Sequence, residues 1–224
     1  SDSSSSDSSG SDSPSNDCVT PSPVPREYNI SNVTGQIVIS EKPLPINVDA
    51  YIPGIVDKIF DKEGVMINSV GTFIQGIIGI GGEKKGQIKC LASDESDKIQ
   101  ISSITEDLRG KIIVCGSYID YEIYSKAKEV QVSGIVCGGV DYNTISKILG
   151  YSLGVAITGT ENTTTLILTE GFGEVNMAKR TFDLLKENEN KVASINGATQ
   201  IRAGVLRPEI FIESEKKETS KDFN

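Results

Sequence analysis

The apolar positions in the first half of the chain fall in short runs that are separated by glycine and proline. Such runs are typical of β-strands that end at tight turns. They predict strands at residues 36–39, 46–48, 54–60, 64–67, 72–78 and 86–91. No segment between residues 37 and 91 has a helical period, so the pattern predicts a small β-barrel or sandwich over residues 28–105.

Beyond residue 106 the pattern changes to apolar runs that alternate with amphipathic stretches. The amphipathic stretches predict helices at 118–130, 142–149 and 175–187. The apolar runs predict strands at 111–115, 134–137, 154–157, 164–169, 193–195, 199–203 and 209–212. This alternation is typical of βα-repeats around a mostly parallel sheet. The chain is therefore predicted to be α/β (α+β overall), with an α/β domain over residues 106–212.

Both ends of the chain have compositions that do not favour a folded core. Of residues 1–17, ten are serine and four are aspartate, so residues 1–27 are predicted to be a disordered tail with a stiff, proline-containing end. The serines followed by acids are consistent with a phosphorylation cluster, and equally with a solubilising spacer. Residues 213–224 are charged and are predicted to fray.

Two segments in the second half resemble a known fold. The runs 108–115 (LRGKIIVC) and 132–137 (VSGIVC), with a helix between them, resemble swivelling β/β/α domains, including protease-associated domains. The resemblance covers about 30 residues, and many βαβ units share it. Residues 50–56 (AYIPGIV) are more loosely similar to a turn in barrel-sandwich domains of the biotinyl and lipoyl type. No lysine lies in a recognisable modification hairpin there, so no prosthetic group is implied.

Charge and hydropathy exclude two classes of partner. The formal net charge is −9, and the densest basic stretches, 83–85 and 216–217, are short and flanked by acids. Nucleic-acid modules need clustered lysine and arginine, so no nucleic-acid binding is predicted. The most apolar stretch, 73–80, is far shorter than the roughly 20 residues that span a bilayer, so no transmembrane segment is predicted. Residues 1–17 lack a basic region followed by an apolar run, so a signal peptide is expected to be absent or to have been removed before residue 1.

The absence of histidine excludes many common enzyme mechanisms. Triads that use an imidazole base and metal sites with histidine ligands cannot form within this chain. The four cysteines, Cys18, Cys90, Cys115 and Cys137, contain no Cys-x-x-Cys pair, so no metal and no cofactor is predicted. Cys115 and Cys137 are interpreted as buried apolar residues, with a reactive thiol or disulfide as the alternative. An intracellular, cytoplasmic location is expected.

The glycine-rich stretch 76–86 does not have the spacing of a phosphate-binding loop. It lacks both Gly-Lys-Ser/Thr after four spacer residues and Gly-x-Gly-x-x-Gly before a helix. Its glycines are therefore interpreted as strand corners or bulges. Tyr121, Glu122 and Tyr124 are likewise interpreted as core and surface residues of a helix.

The loop 169–174 joins a predicted strand to the helix 175–187. In a parallel sheet this loop lies at the carboxyl ends of the strands, where ligands usually bind. A ligand site here would use Glu170, Gly171, Gly173 and Glu174, with Thr160 and Arg202 nearby. The opposing interpretation is structural, because the two glutamates can cap the helix and would repel a phosphate.

Arg202 follows an Asn196-Gly197 pair, which is a hairpin signal, and Arg202 and Arg207 can bind a carboxylate or form surface ion pairs.

Three functional hypotheses follow from these features. The sequence favours a non-catalytic scaffolding or protein-interaction module that binds a protein partner or forms a homo-oligomer. The second hypothesis is a small-anion or metabolite-binding protein, or a histidine-free enzyme, with its crevice near Glu170 to Glu174. The third is a docking unit or fragment of a larger enzyme whose active site lies elsewhere.

Overall fold

A computed structural model describes residues 26–41, 48–150, 156–157, 163–200 and 206–214. The chain divides into two compact units, Ser1–Asp49 and Ala50–Asn224. Most of the predicted tail and C-terminus, and part of the predicted strand 46–48, lie outside the described residues.

The first unit contains one antiparallel hairpin, formed by β1 (Arg26–Ile30) and β2 (Ile37–Glu41). Cross-strand partners lie on the same face of a sheet. Tyr28 pairs with Ile39, and Ile30 pairs with Ile37, so these four exposed side chains form an apolar face. The sequence predicted β2 but missed β1, in which arginine, glutamate and asparagine interrupt the apolar residues.

The second unit begins with a hairpin of β3 (Ile55–Phe60) and β4 (Gly64–Asn68). The register shifts between Val56 and Lys58, as at a β-bulge. The bulge places Val56 and Ile59, which are three residues apart, on one face with their partners Ile67 and Val65. All four side chains are exposed.

The main sheet of this unit has eight strands in the order β5-β14-β12-β7-β8-β9-β11-β6. Their bounds are β5 (Gly71–Gln75), β6 (Ile78–Ile80), β7 (Glu83–Cys90), β8 (Ile112–Val114), β9 (Gly134–Val140), β11 (Thr165–Phe172), β12 (Val192–Asn196) and β14 (Glu209–Glu213). The short strands β10 (Ala156–Ile157) and β13 (Thr199–Gln200) pair separately with each other.

Parallel pairing holds the centre of the sheet together, through the pairs β7–β8, β8–β9 and β9–β11. Strands β8 and β9 are buried on both faces, which is the pattern of a sheet covered by further layers. The strands β12, β14 and β5 continue it in antiparallel order on one side, and β6 adds an antiparallel edge on the other. The predicted α/β class is confirmed.

The three helices of the described residues are α1 (Tyr121–Val130), α2 (Tyr142–Leu149) and α3 (Lys179–Glu187), and single 3-10 turns lie at 101–103 and 106–108. Helix α1 begins where the Asp120 carboxylate accepts a hydrogen bond from the Ile123 N–H at 2.9 Å. It ends at Gln131, which has a left-handed conformation (φ 65°). Helix α3 buries Phe182 and Leu185.

The predicted boundary near residue 105 does not separate two sheets. Strand β7 precedes it and β8 follows it, yet Ile88 pairs with Ile112, and both side chains are fully buried. The early strands therefore complete the core of the later ones. Because only residues 76–77 separate β5 from β6, at opposite ends of the strand order, the sheet curls back on itself. No barrel is closed among the described strands.

The hairpin predicted at Asn196-Gly197 does not form between β12 and the next strand. The Asn196 side chain instead accepts a hydrogen bond from the Ala198 N–H at 2.9 Å, and β13 pairs with β10. The Thr199 hydroxyl then accepts a hydrogen bond from the Gly79 N–H at 2.9 Å. A β-carbon on Gly197 would lie 2.2 Å from the Ile80 carbonyl oxygen, so this turn needs glycine for close approach to β6.

We expect Gly197→Ala to lower the free energy of unfolding by about 1–3 kcal/mol, because the Ile80 backbone cannot move away cheaply. Gly64→Ala is the matched control, since a β-carbon there meets no atom within 4 Å. Chemical denaturation monitored by circular dichroism measures the free energy of unfolding of both variants. Equal stability of the two variants would contradict the proposed close approach.

Candidate functional site at the carboxyl ends of the parallel strands

The residues of the predicted crevice are only partly brought together. Glu170 and Gly171 lie within β11, and Gly173 and Glu174 follow it. Thr160 and Arg202 lie outside the described residues. The helix begins at Lys179 and not at residue 175, because the segment between runs extended and buries Met177. The Met177 N–H donates to the Glu95 carbonyl at 3.2 Å, which ties this segment to the loop after β7.

Closely packed backbone fills the space where the crevice was predicted. A β-carbon on Gly138 would lie 2.2 Å from the Val175 carbonyl oxygen, and one on Gly139 would lie 2.3 Å from that of Gly173. Gly116 similarly lies against the carbonyls of Asp94 and Asp97. The loops after β7, β8 and β11 thus contact one another directly.

Glu170 has a structural role at this edge. Its carboxylate accepts a hydrogen bond at 2.9 Å from the N–H of Ala178, the N-cap residue that immediately precedes α3. An acceptor with negative charge is favourable at this end of a helix. This geometry bears out the capping interpretation of Glu170.

Four polar side chains form a continuous network on the rim. The Lys98 ammonium lies 2.5 Å from a Glu174 carboxylate oxygen and 5.8 Å from the centre of the Tyr118 ring. The Tyr118 hydroxyl donates to the Asp141 carboxylate at 2.8 Å. This network connects the loops that follow β7, β8, β9 and β11. We name it, with the two aromatic residues described below, the rim patch.

The electrostatics of Tyr118 do not favour acid or base catalysis near neutral pH. Partial burial, the hydrogen bond to Asp141 and nearby carboxylates raise the pKa of its hydroxyl to about 12. A general base works best with a pKa near the operating pH. Tyr118 therefore remains protonated and serves as a hydrogen-bond donor.

Two exposed aromatic rings complete the rim patch. Tyr142 begins α2, Phe172 ends β11, and their ring centres lie 5.7 Å apart in an edge-to-face arrangement. Tyr142 is 46% exposed and Phe172 is 42% exposed. Tyr142 belongs to a helix and Phe172 to a strand, so the backbone holds the pair in place while much of its surface faces solvent.

The loops that surround the rim patch are strongly acidic. Within residues 91–98, 115–120, 141 and 170–178, Lys98 is accompanied by seven acids, Asp94, Glu95, Asp97, Asp120, Asp141, Glu170 and Glu174. Two lysines of α3 also lie against these loops: Lys186 donates to the Ser93 carbonyl at 2.7 Å, and Lys179 lies near Asp94 and Glu95. The acids still outnumber these cations. This balance disfavours an anionic ligand at the predicted crevice and favours a cationic one.

The sequence did not single out Lys98, Tyr118, Asp141, Tyr142 or Phe172. The residues come from four separate segments, and their common location depends on parallel pairing. The one available signal was that each follows a predicted strand or lies in the loop after it.

The cysteines behave as apolar core residues. Cys115 and Cys137 are fully buried, and burial raises the pKa of both thiols well above the ordinary value. Cys90 is half-buried with a pKa raised to about 11, again chiefly by burial. These three thiols are free, so the interpretation as buried apolar residues is confirmed for Cys115 and Cys137.

The remaining predictions concern structural residues. In the stretch 76–86, Gly76, Gly81 and Gly82 lie at strand corners as predicted, whereas Gly79 and Gly86 lie within β6 and β7. Tyr124 is buried on α1, and Tyr121 and Glu122 are exposed. In the described part of the chain, no three histidine, cysteine, aspartate or glutamate side chains group as a metal site would require. None of the described helices has the length and hydropathy to cross a membrane.

Comparison of the chain with protein-family models, curated proteins and solved structures found no match. Inferences about function therefore depend on the geometry of the molecule itself.

We expect Glu170→Ala to lower the free energy of unfolding by about 1 kcal/mol, because the Ala178 N–H loses its acceptor. Glu174→Ala should change it by less than about 0.5 kcal/mol, because its ion pair with Lys98 is exposed. Urea denaturation of the two variants measures both changes in unfolding free energy. A larger effect for Glu174 would contradict these assigned roles.

We expect Cys115 and Cys137 to resist alkylation in the native protein, because the reactive thiolate is disfavoured and the sulfur is enclosed. Both should react fully with iodoacetamide in denaturant. Mass spectrometry of the labelled peptides measures each site. Rapid native labelling of either cysteine would show that the core opens readily.

Proposed function

We propose that this protein is a non-catalytic protein-interaction module whose docking surface is the rim patch. The parallel β8–α1–β9 unit is in keeping with the proposed relation to swivelling β/β/α domains. The proposal is carried by one observation, the exposed edge-to-face pair of Tyr142 and Phe172 beside an ionic network. Aromatic residues that are fixed by the scaffold are typical anchors of protein interfaces.

The acidic loops around this pair indicate the chemistry of the partner. A partner segment with lysine or arginine would complement the carboxylates, and an apolar side chain beside them would pack on the two rings. The exposed carboxylates guide association and orientation, while the rings contribute most of the affinity. Such an interface is sensitive to salt.

Among the described residues, the groups whose pKa values are shifted give little support to a catalytic role. Hydrogen bonds to Glu189 and Asp183 raise the pKa of Lys89 and of Lys179, which makes both amines poorer nucleophiles. Burial also raises the pKa of the Cys90, Cys115 and Cys137 thiols, which makes the reactive thiolate rarer. Glu209 is an exception, because partial burial and nearby Glu83 raise its pKa as in a general acid. It begins β14 and takes no part in the rim patch.

The experiment uses a displayed peptide library to select binders of the full chain, followed by calorimetry on a selected peptide. We expect selected peptides to combine basic residues with an apolar anchor. Replacing both rings, as Tyr142→Ala with Phe172→Ala, should weaken binding by at least about 30-fold, in keeping with the loss of a hot spot.

The matched control is Tyr121→Ala, which removes a ring of similar exposure on α1 outside the rim patch. It should leave affinity within about twofold, because rings outside a hot spot contribute little. The proposal fails if the ring variants bind the selected peptides as well as the original chain does, or if selection yields acidic peptides.

A further inference from the structure

A second concave surface lies at the opposite edge of the sheet, beside the end of α1. It is a cleft of about 370 Å³, lined by Lys84, Lys128, Gln131, Val132, Ser133, Thr163 and Thr164. Ligand sites in proteins commonly measure about 300–1,000 Å³. None of these lining residues is acidic, in contrast to the chain as a whole, which has a net charge of −9.

The fold brings these residues together from the amino ends of strands. Ser133 immediately precedes β9, Thr163 and Thr164 precede β11, and Lys84 is the second residue of β7. Gln131 ends α1 in a left-handed conformation, which turns the chain toward β9. The cleft is thus formed by regular elements and their first residues.

The charge of the cleft comes from two lysines. In the described part of the chain neither Lys84 nor Lys128 forms an ion pair. Lys128 lies in the last turn of α1, where a cation offsets the helix dipole. Lys84 lies on a strand and has no such role. Successive side chains of a strand point to opposite faces, so Lys84 and neighbouring Glu83 lie on opposite faces of β7.

A side-chain amide adds hydrogen-bond donors to these cations. The side-chain oxygen of Gln131 accepts a bond from Arg109 at 2.8 Å, so its NH2 group is the part available to a ligand. The Ser133 hydroxyl donates to the Gly110 carbonyl at 3.0 Å. Tyr124 donates to the Thr164 carbonyl at 3.1 Å, so the Thr163 hydroxyl is the donor in its 2.6 Å contact with the Tyr124 hydroxyl. These contacts hold the threonine wall of the cleft in position.

We propose that this cleft binds a phosphoryl group, held by the ammonium groups of Lys84 and Lys128 and by a hydrogen bond from the NH2 group of Gln131. Two lysines match the double negative charge of a phosphate monoester, and the Gln131 amide donates to one of its oxygens. This cleft is separate from the rim patch, so phosphoryl binding here and protein binding at the rim patch can be tested independently. The phosphoryl group belongs to a small metabolite or to a phosphorylated side chain.

The test is a titration of the isotope-labelled full chain, followed by NMR. Inorganic phosphate, glucose 6-phosphate, a phosphoserine peptide and the same peptide without phosphate are the probes. We expect saturable shifts of the amides of residues 131–133 and 163–164 with each phosphorylated probe and none with the plain peptide. Tightest binding of the peptide would identify a phosphoprotein as the source, and tightest binding of the sugar phosphate would identify a metabolite.

Replacing both lysines, as Lys84→Gln with Lys128→Gln, should weaken binding at least about tenfold, because two charge-assisted contacts are lost. Lys126→Gln is the control, because this α1 lysine pairs with Glu129 and does not line the cleft. The unbound spectra show whether each variant is folded. Absence of saturable shifts, or equal affinity of the double variant and the control, would overturn the proposal.

Discussion

Close approach between backbone segments at the carboxyl ends of the parallel strands is the constraint on which much of this structure depends. Gly116, Gly138 and Gly139 each contact the carbonyls of a neighbouring loop, at distances that a side chain would prevent. Backbone therefore occupies the region where an open α/β sheet usually binds a ligand. The aromatic side chains of the rim patch, Tyr142 and Phe172, accordingly lie on exposed surface.

The sequence predicted those parts of the fold that depend on local pattern. The helix 142–149 has the predicted bounds, because its apolar residues are spaced along one face and Gly150 ends it. The buried strand β9 was predicted over 134–137 and continues to Val140, through the two glycines Gly138 and Gly139. An apolar run marks a buried strand reliably, but a glycine required by a distant loop looks like a break.

The sequence could not predict features that depend on pairing between distant segments. The early strands β5 to β7 read as a separate barrel because the pattern does not show that β14 pairs with β5 or that β8 pairs with β7. Glu170 and Glu174 lie at the carboxyl end of β11, the edge of the sheet where the sequence predicted them. Its aromatic members come from α2 and β11, so their contact could not be inferred from spacing along the chain.

The position of β14 has a consequence for how the molecule is made. This strand lies between β5 and β12, so more than a hundred residues separate it from its neighbour β5. During synthesis β5 leaves the ribosome early. Its partner β14 is made only after nearly all of the second unit has been synthesised. Contacts between such distant segments form slowly, so the Ile74 side chain, which is buried in the folded protein, stays exposed until β14 has been made.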